Sequence, residues 1–180
     1  YMLFGSGWMV EESRNGTVKR LGVGNRAFTV SFCGSVLALL SAGFLLVLMY
    51  SAVLKIFFDI SLLTGIMSYA IMLSYLLAIA ALCIFLSSIL KTQTQLQAGG
   101  PVLALFTGFA GGCFWNFIEV PDRLVKLSLL TPQGWALKGI NSLLLNPADT
   151  GAAVLPVLVL SAIALILLPL SYIMIIATRR

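Results

Sequence analysis

The sequence predicts an all-α integral membrane protein, a polytopic helix bundle with a cytoplasmic coupling helix and an external re-entrant helical hairpin. Three observations carry this. The 180 residues are 60% hydrophobic and 9% charged, against roughly a quarter charged in globular chains. Charge-free runs cover 27–54, 60–90, 92–118 and 150–178, each longer than the roughly 20 residues that cross a bilayer as a helix. Finally, six of the seventeen charged residues crowd into 11–26, a Gly-punctuated stretch that must lie in water.

The elements follow in order. Residues 1–10 are too short to cross alone and end at Trp8 before the charges, as an interfacial indole favours. They begin at Tyr1 with no basic flank, so they are expected to be the end of a span within the C-terminal portion of a longer chain. Residues 11–26 form the cytoplasmic coupling loop. The next span, 27–54, is rich in small residues such as Gly34, Ser35 and Gly43, which permit close helix packing. Lys55 and Asp59 follow four apart, on one face of a helical extension. A span over 60–90 stops before Lys91, and Lys91–Gln97 is a turn or helix start. Within 92–115 the next span is expected from about Ala98 to Trp115, with Pro101 in its first turn, where Pro is tolerated.

Residues 116–149 are neither span nor ordinary loop. Glu119/Arg123 and Asp122/Lys126 are acid-before-base pairs at helical spacing. Pro121 is expected to start that helix, and Thr131-Pro132 to stop it. A second short helix over about Gln133–Leu145 ends at Asn146-Pro147. Two short, largely apolar helices joined at a break suit a re-entrant or interfacial hairpin, and non-helical backbone at depth needs cover from protein or a water-filled cavity. The last span, 150–178, carries Pro156 near its start and Pro169 inside.

Orientation follows from Lys and Arg. Alternating spans put Arg14, Lys19, Arg20, Arg26, Lys91, Arg179 and Arg180 on one side. Lys55, Arg123, Lys126 and Lys138 fall on the other. The richer side is cytoplasmic, which makes the hairpin external.

The chemistry the chain lacks narrows its function. There is no His, no acidic cluster and no Ser-His-Asp set, so no catalytic residue is assigned. No phosphate-binding Gly loop with Lys and Ser/Thr occurs, no cofactor is expected on this chain, and no ionisable residue sits in a span core, where a proton or ion relay would need one. Cys33, Cys83 and Cys113 are isolated in apolar runs, read as small buried hydrophobes without metal spacing. The net charge of +5 is accounted for by topology, and no basic stripe interleaved with aromatics points to nucleic acid. Gly108 and Gly112, four apart, either pack against another helix or mark a loosened end of the span. Trp115 and Trp135 read as interfacial belt residues ahead of substrate contacts.

Two segments carry a family likeness. Glu12-Ser13-Arg14-Asn15-Gly16-Thr17-Val18-Lys19-Arg20-Leu21, in a cytoplasmic loop after a span, resembles the acid, Gly-Thr, basic-Leu segment of type-2 ABC exporter permeases. Val120-Pro121, then Leu127-Ser128-Leu129-Leu130-Thr131-Pro132-Gln133-Gly134-Trp135 and Gly139, resembles the external segment between that family's fifth and sixth spans. Gly22 and Gly24 stand where the family often has a Pro, and Gly34-Ser35 where it often has Gly-Lys. The resemblance implies one transmembrane permease subunit of an ATP-driven exporter in the plasma membrane of a bacterium or archaeon. It implies pairing with a second permease subunit, alike or different, and docking to an ABC ATPase subunit or domain that binds ATP and Mg. Glu12, Arg14, Gly16, Thr17, Lys19 and Arg20 would form the ATPase-docking coupling segment. Pro121, Thr131, Pro132 and Trp135 would belong to the external gate.

Besides the ATPase and a second permease, membrane lipid is the expected partner. A charge-free interior favours a hydrophobic or amphipathic cargo such as a lipid, peptide or lipophilic antibiotic. The alternative is a structural or sensory membrane subunit of a multi-protein complex that transports nothing. A lipid enzyme would need acidic groups at the membrane, and the only candidates, Glu119 and Asp122, are better explained as local helix pairs.

Overall fold

The computed structural model describes residues 25–59, 65–89, 93–114, 122–146 and 150–177. Its elements are helices: α1 (Asn25–Phe58), α2 (Ile66–Ile89), α3 (Gln93–Ala110), α4 (Asp122–Ser128), α5 (Pro132–Leu145) and α6 (Gly151–Ala177). No strand occurs among the described residues. Three helices are long and apolar enough to cross a membrane, over Phe32–Phe58, Ile66–Ile89 and Gly151–Ile176. In lipid a helix satisfies its own backbone groups, which is why long apolar runs settle into this form.

The span expected from about Ala98 to Trp115 is different. Its helix α3 starts earlier and ends at Ala110, and its apolar part, Ala98–Ala110, falls short of a full crossing. Gly111–Phe114 turn away instead, with Gly112 at φ 83°, a backbone region that side chains disfavour and glycine enters freely. The early start moves Pro101 out of the first turn and into the helix interior. At the end of α1 the helix continues past Lys55 to Phe58. Asp59 then takes φ 55°, so the extension stops one residue before Lys55 and Asp59 can share a helical face.

α2 is the central element. It packs most extensively against α6, then against α5 and α1. Its buried residues lie on all sides and include Ser68, Ser74, Ala78, Ala80, Ala81 and Cys83. Without a hydrophobic drive between helices in lipid, such small side chains let backbones approach and gain dispersion contacts. Their serine hydroxyls stay satisfied locally, as Ser74 Oγ does on Ile71 O at 2.9 Å.

Contacts fix the directions. Ile71 near the start of α2 and Pro156 near the start of α6 both face Gly139. Ser88 near the end of α2 reaches Met174 near the end of α6. The two helices therefore run parallel. α1 runs against them: Thr29 Oγ1 lies 3.2 Å from the Tyr172 hydroxyl, and Phe32 meets the Tyr172 ring edge-on at 5.4 Å. The start of α1 and the ends of α2 and α6 thus share one end of the bundle. In sequence that end continues into Arg26, Lys91 and Arg179-Arg180, the residues that the charge count places together.

Away from this seam α1 is thinly covered. Val30, Leu37, Leu45, Met49, Ile56 and Phe57 are exposed, as suits a helix facing lipid or another subunit. Of the cysteines, Cys83 is buried while Cys33 and Cys113 are exposed. The expectation of three buried thiols therefore holds for one. A weakly polar thiol tolerates an apolar surrounding whether that is protein or lipid.

α2, α5 and α6 meet in one cluster of Ile71, Ala78, Ala136, Ala153 and Leu160. At its centre a Cβ on Gly139 would fall 2.9 Å from Ile71 Cδ1 and 3.1 Å from Pro156 Cβ. Gly139→Val is expected to lower stability by about 1–3 kcal/mol through overpacking. Gly34→Ala, where nothing lies within 4 Å, should stay within about 0.5 kcal/mol of the parent. Thermal unfolding of the detergent-solubilised protein measures both, and equal midpoints for the two variants would remove Gly139 from the packing argument.

Candidate functional site

The candidate site is the hairpin α4–α5 and what it sits on. Seven-residue α4 leads through Leu129 and Leu130 into Thr131, the N-cap of α5. The N-cap is readable in the residues: a hydroxyl followed by Pro at the first helical position. Thr131 is extended at φ −111°, and its Oγ1 accepts from the Gly134 N–H at 3.3 Å. The same hydroxyl donates to Ser128 O at 2.9 Å, and the Thr131 N–H donates to that oxygen at 3.0 Å. Leu130 N–H closes on Leu127 O at 3.1 Å. Trp135 Nε1–H donates to Leu129 O at 2.7 Å. Most of the turn's exposed polar groups are thereby paired inside the hairpin, which permits a break in helix at membrane depth.

The turn is also close-packed. Gly134 lies directly against the carbonyl of Ser128, so any side chain there would push two backbones apart. Ser128 is fully buried, and Pro132, Gly134, Ala136 and Gly139 line the buried face of α5. The seat is the end of α3: a Cβ on Gly111 would fall 2.7 Å from Gln133 Cβ and 2.8 Å from Thr131 Oγ1.

Depth follows from neighbours. Gln133 at the start of α5 shares a cavity wall with Tyr75 and Ile79, in the middle of α2. Six residues later Gly139 meets Ile71, near α2's start. α5 therefore rises from mid-bundle toward the end where α2 and α6 begin. The hairpin re-enters the bundle and its tip reaches the middle.

The expected site residues fall as follows. Glu12, Arg14, Gly16, Thr17, Lys19 and Arg20 lie outside the described residues, as do Pro121, Trp115 and Glu119. Helix α4 begins at Asp122 and ends at Ser128, before the stop expected at Thr131-Pro132; Arg123 and Lys126 on it are exposed. Thr131, Pro132 and Trp135 come together at the hairpin tip. Gly108 is in the last turn of α3, with its carbonyl accepting from the Cys113 N–H at 3.0 Å, and Gly112 is beyond the helix end. The two glycines do not share a helix face. Trp135 binds within the hairpin through its indole N–H, and Lys138 Nζ stands 5.3 Å from the centre of its ring, a cation–π distance.

Sequence reasoning passed over Gln133, Gly134 and Gly111 as site residues. The available signal was a lone amide between Pro132 and Gly134 in an otherwise apolar segment, and a Gly-Gly pair placed to end a helix. Gln133 Nε2–H donates to Thr107 Oγ1 at 3.4 Å, tying the tip to α3. Among the described residues no group of His, Cys, Asp or Glu could hold a metal ion. What the arrangement offers is a packed, hydrogen-bonded plug joined to three helices.

No curated protein and no solved structure matches the chain. The family model for the ABC-2 type transporter matches residues 1–145, which takes in α1 to α5 and the hairpin with its tip. The chain is a multi-pass membrane protein of the ABC-2 type transporter family, the permease component of an ABC transporter, in a family whose members work with an ABC ATPase.

Proposed function

We propose that this permease moves a hydrophobic or amphipathic substrate outward across the plasma membrane of a bacterium or archaeon. ATP and Mg bind on a partner ATPase subunit or domain, and a second permease subunit completes the path. The chain itself catalyses nothing. The observation that carries the reading is mechanical. Residues 11–26 run directly into α1, whose first turns touch the last turns of α6 through Thr29, Phe32 and Tyr172. α6 in turn meets α5 at Pro156 and Gly139. Force applied to the loop by closing ATPases therefore has a packed route through α1 and α6 to the hairpin.

The direction of transport rests on the likeness to exporter permeases, and the place of the loop on the charge count, which favours the basic end of the bundle as the cytoplasmic one. The hairpin then lies on the external side, as a gate whose own shape is held by the bonds of Thr131 and Trp135. A cargo without fixed charge suits the apolar interior, since a buried ion would need a partner.

Charge reversal at the docking segment tests the coupling. Glu12→Lys and Arg20→Glu are expected to insert normally and to leave ATP hydrolysis running while export falls. Unchanged export in reconstituted vesicles by both variants would sink the docking role. The gate is tested apart from it. Trp135→Phe removes the bond to Leu129 O and should cost about 1 kcal/mol of stability, together with faster passive leak of a lipophilic dye. A stability loss of that size with no change in leak would leave Trp135 structural only.

A further inference from the structure

Beneath the hairpin, α1, α2, α3 and α5 enclose part of a cavity of about 310 Å³. Gly43 and Leu46 of α1, Tyr75 and Ile79 of α2, Thr107 of α3 and Gln133 of α5 are on its wall. That volume stands at the lower end of the roughly 300–1,000 Å³ typical of small-molecule sites. No lining residue is charged, and most of the wall is aliphatic. An ion entering it would lose its hydration without gaining a counter-charge.

One polar atom at this wall is unmatched. Gln133 Oε1 is buried and has no hydrogen-bond partner. The chemistry of its neighbour favours one orientation of the amide. Thr107 Oγ1 donates its single proton back along α3, with Leu103 O at 2.9 Å and Ala104 O at 3.2 Å. It has only lone pairs left to offer, so it faces the Gln133 amide nitrogen, at 3.4 Å. The carbonyl oxygen is then an acceptor with no donor, which a packed apolar region tolerates poorly. A ligand with one O–H and an apolar body would supply the donor and fill the space.

We propose that this cavity is a binding site for an uncharged amphiphile bearing a hydroxyl, with Gln133 Oε1 as the acceptor and the α1–α2–α3 wall holding the alkyl part. The site goes beyond the transport reading, from which it takes only the surrounding membrane. The same hydroxyl chemistry could come from a resident bilayer lipid or from the cargo.

The experiment uses the full-length protein in lipid nanodiscs with two photoreactive probes, a medium-chain fatty alcohol bearing a diazirine and its methyl ether. The alcohol should label saturably, with crosslinks on the peptides holding Gly43, Tyr75 and Thr107. The ether should bind about three- to tenfold more weakly, the weight of one neutral hydrogen bond. Gln133→Met, of similar length without the acceptor, should erase the preference, and Ala104→Phe, which fills the wall, should lower labelling by both probes. Equal labelling by alcohol and ether in the parent protein, which no variant enters, would show that water serves Gln133 and would overturn the proposal. So would a preference that survives in Gln133→Met. Where the alcohol binds, stimulation of the partner ATPase identifies cargo and its absence a resident lipid; both outcomes uphold the site. Binding is read without ATP, so it stands or falls separately from export.

Discussion

The approach of α5 to α2 and α6 at Gly139 is the contact on which the bundle depends. Ile71 and Pro156 occupy the space that any side chain at 139 would need. Because the surroundings of a membrane helix are as apolar as its own side chains, exclusion of water contributes little to holding helices together. What remains is close fit, and the fit here is made by a glycine on one helix, a proline on the second and a single buried isoleucine on the third. The parallel pair of α2 and α6 is continued toward the opposite end by Ala78, Ala80, Ala81 and Cys83 on α2, all small enough to keep the axes near one another. The position of the hairpin is a consequence of this contact, since α5 has no other broad neighbour.

A second constraint acts at the hairpin tip. Backbone that leaves the helix within a bundle must find hydrogen bonds from its own side chains. Thr131 does this twice over, as donor to Ser128 O and acceptor from the Gly134 N–H, and Trp135 covers Leu129 O. The residues that make the turn feasible also make it stiff. Stiffness suits the gate proposed for the hairpin, and the contact of α4 with α3 and α5 is thin by comparison. Gln133 is the exception to this local pairing. It faces outward from the hairpin to α3 and keeps an unused acceptor, which is why the cavity beside it draws attention as a site rather than as a packing gap.

Much of this was legible in the residues, and the misses have physical reasons. The charge-free runs located α1, α2 and α6 because charge in a lipid core is costly. Pro132 after Thr131 marked the start of α5, and Asn146-Pro147 its end. The end of α4 was placed too late, because Thr131-Pro132 is the stronger breaker in the sequence, yet the chain leaves the helix at Ser128 to make the turn. α3 was drawn too long for a similar reason: its apolar run continues to 118, and apolarity alone does not distinguish helix from the turn at Gly111–Phe114. Of the candidate site, Thr131, Pro132 and Trp135 were found through their resemblance to an external segment, whereas Gln133 was missed. A single Gln has no periodicity, and its meaning arises only from Thr107, 26 residues away.

By itself the sequence determined that the chain is a multi-pass helical membrane protein, which ends carry the cations, and where a hairpin interrupts the spans. Each of these rests on local chemistry: hydropathy, charge and turn-forming residues. Only the tertiary structure decided that α2 and α6 run side by side in the same direction, that the hairpin tip reaches the middle of α2, and that Gln133 ends beside an uncharged cavity with its oxygen unmatched. These are relations between residues far apart in the chain. They are set by which small side chains allow two helices to touch, and no local pattern encodes that choice.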